Sequence, residues 1–327
     1  MPRIPSQDNP DRSESTTPAL AERSGDQAHS YVLMTAAHNE EATIEGTIKS
    51  IVSQTVLPRR WVIASDGSTD KTDDIIQEYA REYRFLRYHR ITRAPGRNFG
   101  SKVLALHSAC KLLEGCPFHF IGNVDADVSL EPSYFQDLLA HFDRRPRLGL
   151  AGGFFFEEQD GEFKSRRGNR TFAVTHAAQL VRRECYEAIG GYAVLEYGGE
   201  DWHAETTARM KGWEIEAFPN LKIFHHRHTG EGGNLLRYKF RQGRMDYSFG
   251  SALSFELLKC LLRVTEKPFF LGCAARLTGF FWSWISRENR PVSDEFIAFL
   301  RGEQRARVAS LLKGGNVLGW KGTKTQS

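Results

Sequence analysis

Ile121-Gly122-Asn123-Val124-Asp125-Ala126-Asp127 is the stretch whose reading decides the fold of this chain. An apolar run that behaves as a buried strand ends there in two carboxylates one residue apart. At the tip of a central strand in an open α/β sheet, such side chains point into the crevice where these sheets hold ligands. Two carboxylates this close repel each other, whereas a hard divalent cation between them and a diphosphate gives the pair a purpose. Taken alone the stretch is equally a solvated turn, so its meaning rests on what flanks it.

Working outward, Tyr31 to Ala37 reads as a fully buried strand, and His38-Asn39-Glu40-Glu41 turns it into a helix with Ile44, Ile48, Ile51 and Val52 on its apolar face. Trp61 to Ala64 begins the next unit, which ends at Asp66-Gly67-Ser68-Thr69-Asp70. Gly67 permits a tight turn there, and Ser68 or Thr69 is placed to cap a helix from Asp73 to Tyr83. Phe85 to Ile91 predicts a third strand, and Gly96 to Lys102 a basic turn entering a helix. Phe118 to Val124 is the strand that delivers Asp125 and Asp127, with a helix from Pro132 to Phe142 behind it. This alternation predicts a mostly parallel mixed sheet of Rossmann-like character, covered by helices on both faces.

Downstream, Leu148 to Phe156 predicts another strand, and Ala177, Ala178, Leu180 and Val181 a helix. Gly198-Gly199-Glu200-Asp201-Trp202 opens a helix that reaches Met210 and stops at Gly212. Two short strands are expected at Trp213 to Phe218 and Leu221 to Phe224, the second running into His225-His226-Arg227-His228.

The chain has 327 residues, 40% hydrophobic and 26% charged, enough for one large core and an appendage. The division expected is a disordered leader over 1–29 without a signal peptide, a catalytic domain over 30–230, and a basic amphipathic helical region over 231–327. Five scattered cysteines without CxxC spacing suggest neither a disulfide framework nor a zinc site, and fit a reducing, cytoplasmic compartment. From Glu231 onward there are 16 Lys+Arg against 8 Asp+Glu, leaving 28 against 32 before it, so the two parts carry +8 and −4. The aliphatic and aromatic residues mixed into that basic tail favour anionic lipid over nucleic acid as its partner. Phe269 to Ile285 is short, with Arg276 in its middle, for a spanning helix that needs about 20 apolar residues. Two readings stand: an interfacial helix with Lys267, Arg276, Arg287 and Arg290 near headgroups, or a helical tail packed on the catalytic domain.

Four polar clusters fall at strand ends of one sheet: His38 to Glu41, Asp66 to Asp70, Arg97 to Lys102 and Asp125 to Asp127. Those ends share a rim, so the clusters can converge on a ligand with a base, a ribose and phosphates. Asp66 and Glu40 can accept hydrogen bonds from base or sugar. Arg97 and Lys102 can meet phosphate charge, and Asp125 with Asp127 can hold Mg²⁺ or Mn²⁺. Each cluster alone has a plainer reading, as a helix cap or a solvated turn. Together they carry the argument.

At these residues the chain resembles the family 2 glycosyltransferases of the GT-A fold. The likeness lies in Ala37-His38-Asn39-Glu40-Glu41, Asp66-Gly67-Ser68-Thr69-Asp70, Asp125-Ala126-Asp127 and, on the acceptor side, Arg182 through Tyr192 with Gly199-Glu200-Asp201-Trp202. The resemblance implies a nucleoside diphosphate sugar donor, with a UDP-sugar the leading expectation, a divalent metal, and inversion at the anomeric carbon. It implies donor binding by Ala37, His38, Asn39, Glu40, Asp66, Gly67, Ser68, Arg97, Lys102, Asp125 and Ala126. It implies metal binding by Asp125, Asp127 and His225, with His226 and His228 competing for the last role. Asp201 takes the place of the catalytic base, with Glu200 second; an inverting transfer needs a carboxylate to remove the acceptor hydroxyl proton.

Where processive synthases carry Gln-x-x-Arg-Trp, this chain reads Phe240-Arg241-Gln242-Gly243-Arg244-Met245-Asp246-Tyr247, which points to a single addition. The expected acceptor is a hydroxyl of a polyprenyl-diphosphate-linked glycan in surface-polysaccharide synthesis, met peripherally at the inner face of the cell membrane. A sugar-phosphate nucleotidyltransferase would show a Gly-rich basic phosphate loop straight after the first strand, where Ala37-His38-Asn39-Glu40-Glu41 stands instead. A catalytically silent membrane-associated binding protein is the rival of another class, and the intact Asp125, Asp127 and Asp201 speak against it.

Overall fold

A computed structural model describes residues 30–92, 100–159, 161–166, 168–227, 235–264 and 269–313. The expectations placed on the leader, Arg97, His228 and Lys267 lie outside the described residues.

The chain begins with β1 (Tyr31–Ala37), α1 (Ile44–Val52), β2 (Arg60–Asp66), α2 (Thr72–Glu82), β3 (Leu86–Ile91), α3 (Ser101–Lys111) and β4 (Phe120–Val124). It continues with β5 (Val128–Leu130), α4 (Tyr134–Arg144), β6 (Leu148–Gln159), β7 (Glu162–Ser165), β8 (Ala178–Arg182), α5 (Arg183–Ala188), α6 (Glu200–Met210) and β9 (Glu214–His225). Four helices follow: α7 (Leu235–Ser248), α8 (Leu253–Leu262), α9 (Phe269–Ile285) and α10 (Asp294–Leu312).

The strands form one mixed sheet in the order β3-β2-β1-β4-β8-β6-β9-β5, with β7 paired to β6. The run β3-β2-β1-β4 is parallel throughout. Alternate side chains of these strands enter two cores, as a covered parallel sheet requires. Leu33, Ile63 and Phe120 pack with α1 and α4 on one face, and Val32, Val62 and Ile121 with α3, α5 and α6 on the other.

Residues 178–182 form a strand, not the expected helix. They insert antiparallel between β4 and β6, with Val181 opposite both Ile121 and Leu150. A short apolar run reads alike as buried strand or buried helix, and only the open slot in the sheet decides between them. The two strands expected over 213–224 are one strand, β9, interrupted by an irregularity. Its register against β6 jumps from Gly153↔Phe218 to Phe154↔Lys222, so Pro219 sits where no ladder donor is needed. A Cβ on Gly153 would lie 2.3 Å from the Leu221 carbonyl oxygen, so only glycine lets the irregular segment close on β6. Neither Ser68 nor Thr69 caps α2; Asp70 Oδ1 accepts from the Thr72 amide at 3.1 Å instead.

The last of the C-terminal helices packs on the sheet domain through α6. Phe296 and Leu300 of α10 join Leu195 and Phe249 in a third core, and Glu303 receives Arg209 of α6 at 2.8 Å. Backbones of α7 and α9 touch at two glycines: a Cβ on Gly243 would stand 1.8 Å from the Arg276 carbonyl oxygen, and one on Gly279 2.0 Å from that of Phe240. Arg276, expected near headgroups, is 7% exposed. Its guanidinium binds Asp246, reaches Glu256 at 3.4 Å and donates to Gln242 Oε1 at 2.9 Å. Two buried carboxylates demand a buried cation, and that demand turns Arg276 inward. No described helix is long and apolar enough to cross a membrane.

Candidate active site

Parallel register brings the strand ends level: Ala37 stands opposite Ser65 on β2, and Met34 opposite Asn123 on β4. The turns after β1, β2 and β4 therefore open on one rim. The cleft there, of about 490 Å³, is lined by Ala37, His38, Glu40, Asp66, Lys102, Asp125, Ala126, Asp127 and Glu200. Ala36, Ser101 and Ala105 complete the lining, and sequence reasoning singled out none of them.

Other expected donor-binding residues hold the rim together from behind. Asn39 takes a left-handed φ of 54°, a conformation that asparagine tolerates. Its amide donates to Ser68 Oγ at 3.2 Å, and its Oδ1 accepts from the Thr69 amide at 2.9 Å. Ser68 is buried, and its hydroxyl also accepts from Ser65. Gly67, at φ 65°, makes the turn. The His38 ring bonds the Asp66 carbonyl oxygen at 2.6 Å, joining the first two turns beside the cleft.

Charge in the cleft is closely matched. Lys102 Nζ lies 2.7 Å from Asp125 Oδ1. Burial works against the ammonium, but Asp125, then Glu200 and Asp201, outweigh it and hold the Lys102 pKa above its ordinary value. Asp127 Oδ2 lies 3.2 Å from His225 Nε2 and 3.8 Å from Arg227 Nε. Burial alone would raise Asp127, yet the His225 bond and the Arg227 and Lys102 charges bring it below the usual carboxylate value. Arg227 also binds Glu40, whose pKa is pushed up to about 6, by burial first. Strand alternation turns the two rings apart: His225 faces Asp127, while the His226 ring bonds Ser129 Oγ at 2.7 Å. The sequence placed Arg227 beside the histidines without giving it a role; its contacts with Glu40 and Asp127 exist only because β9 runs back to the β4 end.

Across the cleft, Gly198 and Gly199, at φ 81° and 90°, turn the chain into α6. A Cβ on Gly199 would lie 2.9 Å from Met245 Sδ, so α7 approaches α6 at this glycine. Glu200 lines the cleft, while half-buried Asp201 accepts from the Trp202 amide at 2.7 Å. Burial raises both carboxyl pKa values, and Lys102 moderates both. Beneath them lies His176, which sequence reasoning missed. It is buried with both ring nitrogens unpartnered, Nδ1 being 4.0 Å from Glu200 Oε1. Burial holds its pKa well below the ordinary value, so the ring is neutral.

Among the described residues no three His, Cys, Asp or Glu side chains converge on one point. Asp127 and His225 nevertheless offer a carboxylate and an imidazole at 3.2 Å, with Asp125 two residues away. The His225 Nδ1 atom is buried without a partner, so no bond on that side commits the ring's tautomer. With diphosphate oxygens and water completing the shell, this donor set fits Mn²⁺ or Mg²⁺, which need few protein ligands.

The sequence profile of the family described as Glycosyl transferase family 2 matches residues 33–197, half of the chain. This chain belongs to that family. The match runs from β1 to the approach to α6 and contains every strand end that lines the cleft. A relative named as a glycosyltransferase, EpsH of Bacillus subtilis, is 31% identical over 110 residues, which are 33% of this chain and 28% of that protein. The chain thus spans under a third of that relative's length. Among solved structures, S. aureus TarS 1–349 in complex with UDP-GlcNAc superimposes with a TM-score of 0.54 at 14% identity, covering 88% of this chain and 92% of that one. GalNAc-T7 with UDP, GalNAc and Mn²⁺ gives 0.55 at 14% identity, covering 86% and 57%. The fold is GT-A.

Proposed function

We propose that this family 2 enzyme transfers one sugar from a nucleoside diphosphate sugar to a hydroxyl acceptor with inversion. The observation that carries the reading is the convergence of Asp66, Lys102, Asp125, Asp127 and Glu200 on one cleft. In this reading Asp66 and the β1 turn hold the nucleoside, and Lys102 meets the diphosphate. Asp127 and His225, with Asp125, hold a divalent ion. When bound, Mn²⁺ or Mg²⁺ would supply charge stabilisation to the departing diphosphate.

The acceptor oxygen attacks the anomeric carbon as the bond to the diphosphate breaks, and the acceptor proton passes to a carboxylate at the start of α6. Asp201 is the base and Glu200 the second candidate for it; burial raises both pKa values toward the range in which a carboxylate takes up a proton readily. TarS and GalNAc-T7 carry UDP or a UDP-sugar, so UDP-sugars are the donors to test first. The acceptor we propose is a polyprenyl-diphosphate-linked glycan, met peripherally at the cytoplasmic face of the membrane.

The test is thermal stabilisation of the full chain by a panel of nucleoside diphosphates and sugar nucleotides, with Mn²⁺, with Mg²⁺ and with chelator. A metal-dependent shift for one nucleotide class, lost in Asp127→Ala, supports the reading. No shift with any nucleotide in the presence of either metal overturns it.

A further inference from the structure

The donor cleft has a buried histidine beside it that the reaction as proposed does not use. β8 runs antiparallel to β4 with Ala178 opposite Val124, so the residues just before β8 reach the same rim as the turn after β4. The Asp125 amide donates to the Ala177 carbonyl oxygen at 2.7 Å, and Asn123 Nδ2 donates both to the His176 carbonyl oxygen and to Asp125 Oδ1. His176 is thereby fixed to the backbone that carries Asp125. In the sheet order β2-β1-β4-β8 it stands beyond Asp125, on the side away from Asp66. A donor with its nucleoside at Asp66 and its diphosphate at Asp125 brings its sugar to this end.

His176 is 4% exposed, and neither ring nitrogen has a hydrogen-bond partner. The Tyr192 ring stands edge-on to it with centroids 4.4 Å apart, and the Tyr192 hydroxyl accepts from Gln179 Nε2 at 2.7 Å. Nδ1 faces Glu200 Oε1 at 4.0 Å, about 1 Å beyond a hydrogen bond. An imidazole buried in this way costs the fold free energy that a leucine of similar volume would not. Burial first, and the Lys102 charge second, keep the ring neutral, so it has a single N–H to give. Lys102 serves two anions, bonding Asp125 and attracting Glu200. A diphosphate that takes up Lys102 leaves Glu200 without that cation, and the His176 Nδ1–H is placed to replace it.

We propose that His176 is a positioning residue: in the loaded cleft its Nδ1–H donates to Glu200 Oε1 and fixes that carboxylate at the sugar end of the donor. The unpartnered ring of the empty cleft is then a group held ready for the loaded one, at some cost in stability. The inference rests on the proposed sugar nucleotide site and gives a part in it to a side chain that lines neither the cleft nor the metal position.

The test is titration calorimetry on the full chain with Mn²⁺, using UDP-GlcNAc, UDP-glucose and UDP-galactose, each set against UDP. His176→Leu is expected to weaken binding of the UDP-sugar by about fivefold or more and to leave UDP within about twofold. The melting temperature of the unliganded variant should be unchanged or higher, the reverse of what loss of a purely structural side chain does. His176→Asn, whose amide nitrogen stands where Nδ1 stood, should recover most of the affinity. In a Glu200→Ala background His176→Leu should change affinity by less than about twofold, because the group it acts through is gone. The proposal is overturned by an unchanged UDP-sugar affinity in His176→Leu, by equal weakening of UDP, or by a loss of the same size in the Glu200→Ala background. A lowered melting temperature in His176→Leu assigns the ring to the core and overturns it as well. A wild type that binds none of these ligands counts against the donor site and takes this inference with it, whereas UDP-sugar binding that His176→Leu leaves intact counts against His176 alone.

Discussion

Lys102 Nζ and Asp125 Oδ1 stand 2.7 Å apart in the lining of the cleft at the strand ends. A helix that follows β3 in the chain thus places its first-turn cation on the carboxylate that ends β4. In the proposed reaction this ammonium also meets the incoming diphosphate, trading one anion for another. Lys102→Met is expected to weaken UDP-sugar binding by roughly tenfold or more, the worth of a hydrogen bond to a charged group. Titration calorimetry with Mn²⁺ held constant measures it, and unchanged affinity would remove Lys102 from the donor site.

The two carboxylates at the start of α6 separate by substitution. Asp201→Asn should lower turnover by about 10²–10⁴-fold while donor affinity holds, the usual range for a general base. Glu200→Gln, altering a side chain that lines the cleft, should change donor affinity or KM more than turnover. The reverse pattern would make Glu200 the base.

Glu205 lies one turn along α6 from Asp201, and burial pushes its pKa up to about 8 from an ordinary 4.5. The folded chain keeps a proton there that the unfolded chain gives up. Its contribution to stability is therefore full below about pH 4.5 and is lost as the pH rises towards 8. Glu205→Gln retains an oxygen for the Val174 amide, which donates to Oε1 at 2.5 Å, and carries no proton to lose. The fall in melting temperature between pH 5 and pH 8 should be smaller in this variant than in the wild type.

Arg276→Met should cost about 3–5 kcal/mol in urea unfolding, because it leaves Asp246 and Glu256 buried without their cation. Arg276→Met combined with Asp246→Asn and Glu256→Gln should recover most of the loss. If the single variant matches the wild type, the cluster is not what holds α7, α8 and α9 together.

Gly243→Ala tests the contact between α7 and α9 directly. Its Cβ would fall 1.8 Å from the Arg276 carbonyl oxygen, so the helices must part. Overpacking of this kind costs about 1–3 kcal/mol.

The sequence by itself determined the parallel half of the sheet and the rim of the cleft. Buried strands such as Tyr31–Ala37 and Phe120–Val124 are near-continuous apolar runs, and the polar turns that end them are local signals. Parallel pairing then brings those turns level without further information. Tertiary structure alone decided the rest. Residues 178–182 became a strand because β4 and β6 left a slot between them, and Pro219 was absorbed because Gly153 lets β9 close past it. Arg227 reached Glu40 across 187 positions of sequence, and Arg276 turned inward to two buried carboxylates instead of outward to a headgroup. In each case the partner is distant in sequence, and a side chain's choice between water and an ion pair depends on which charges the fold has buried beside it.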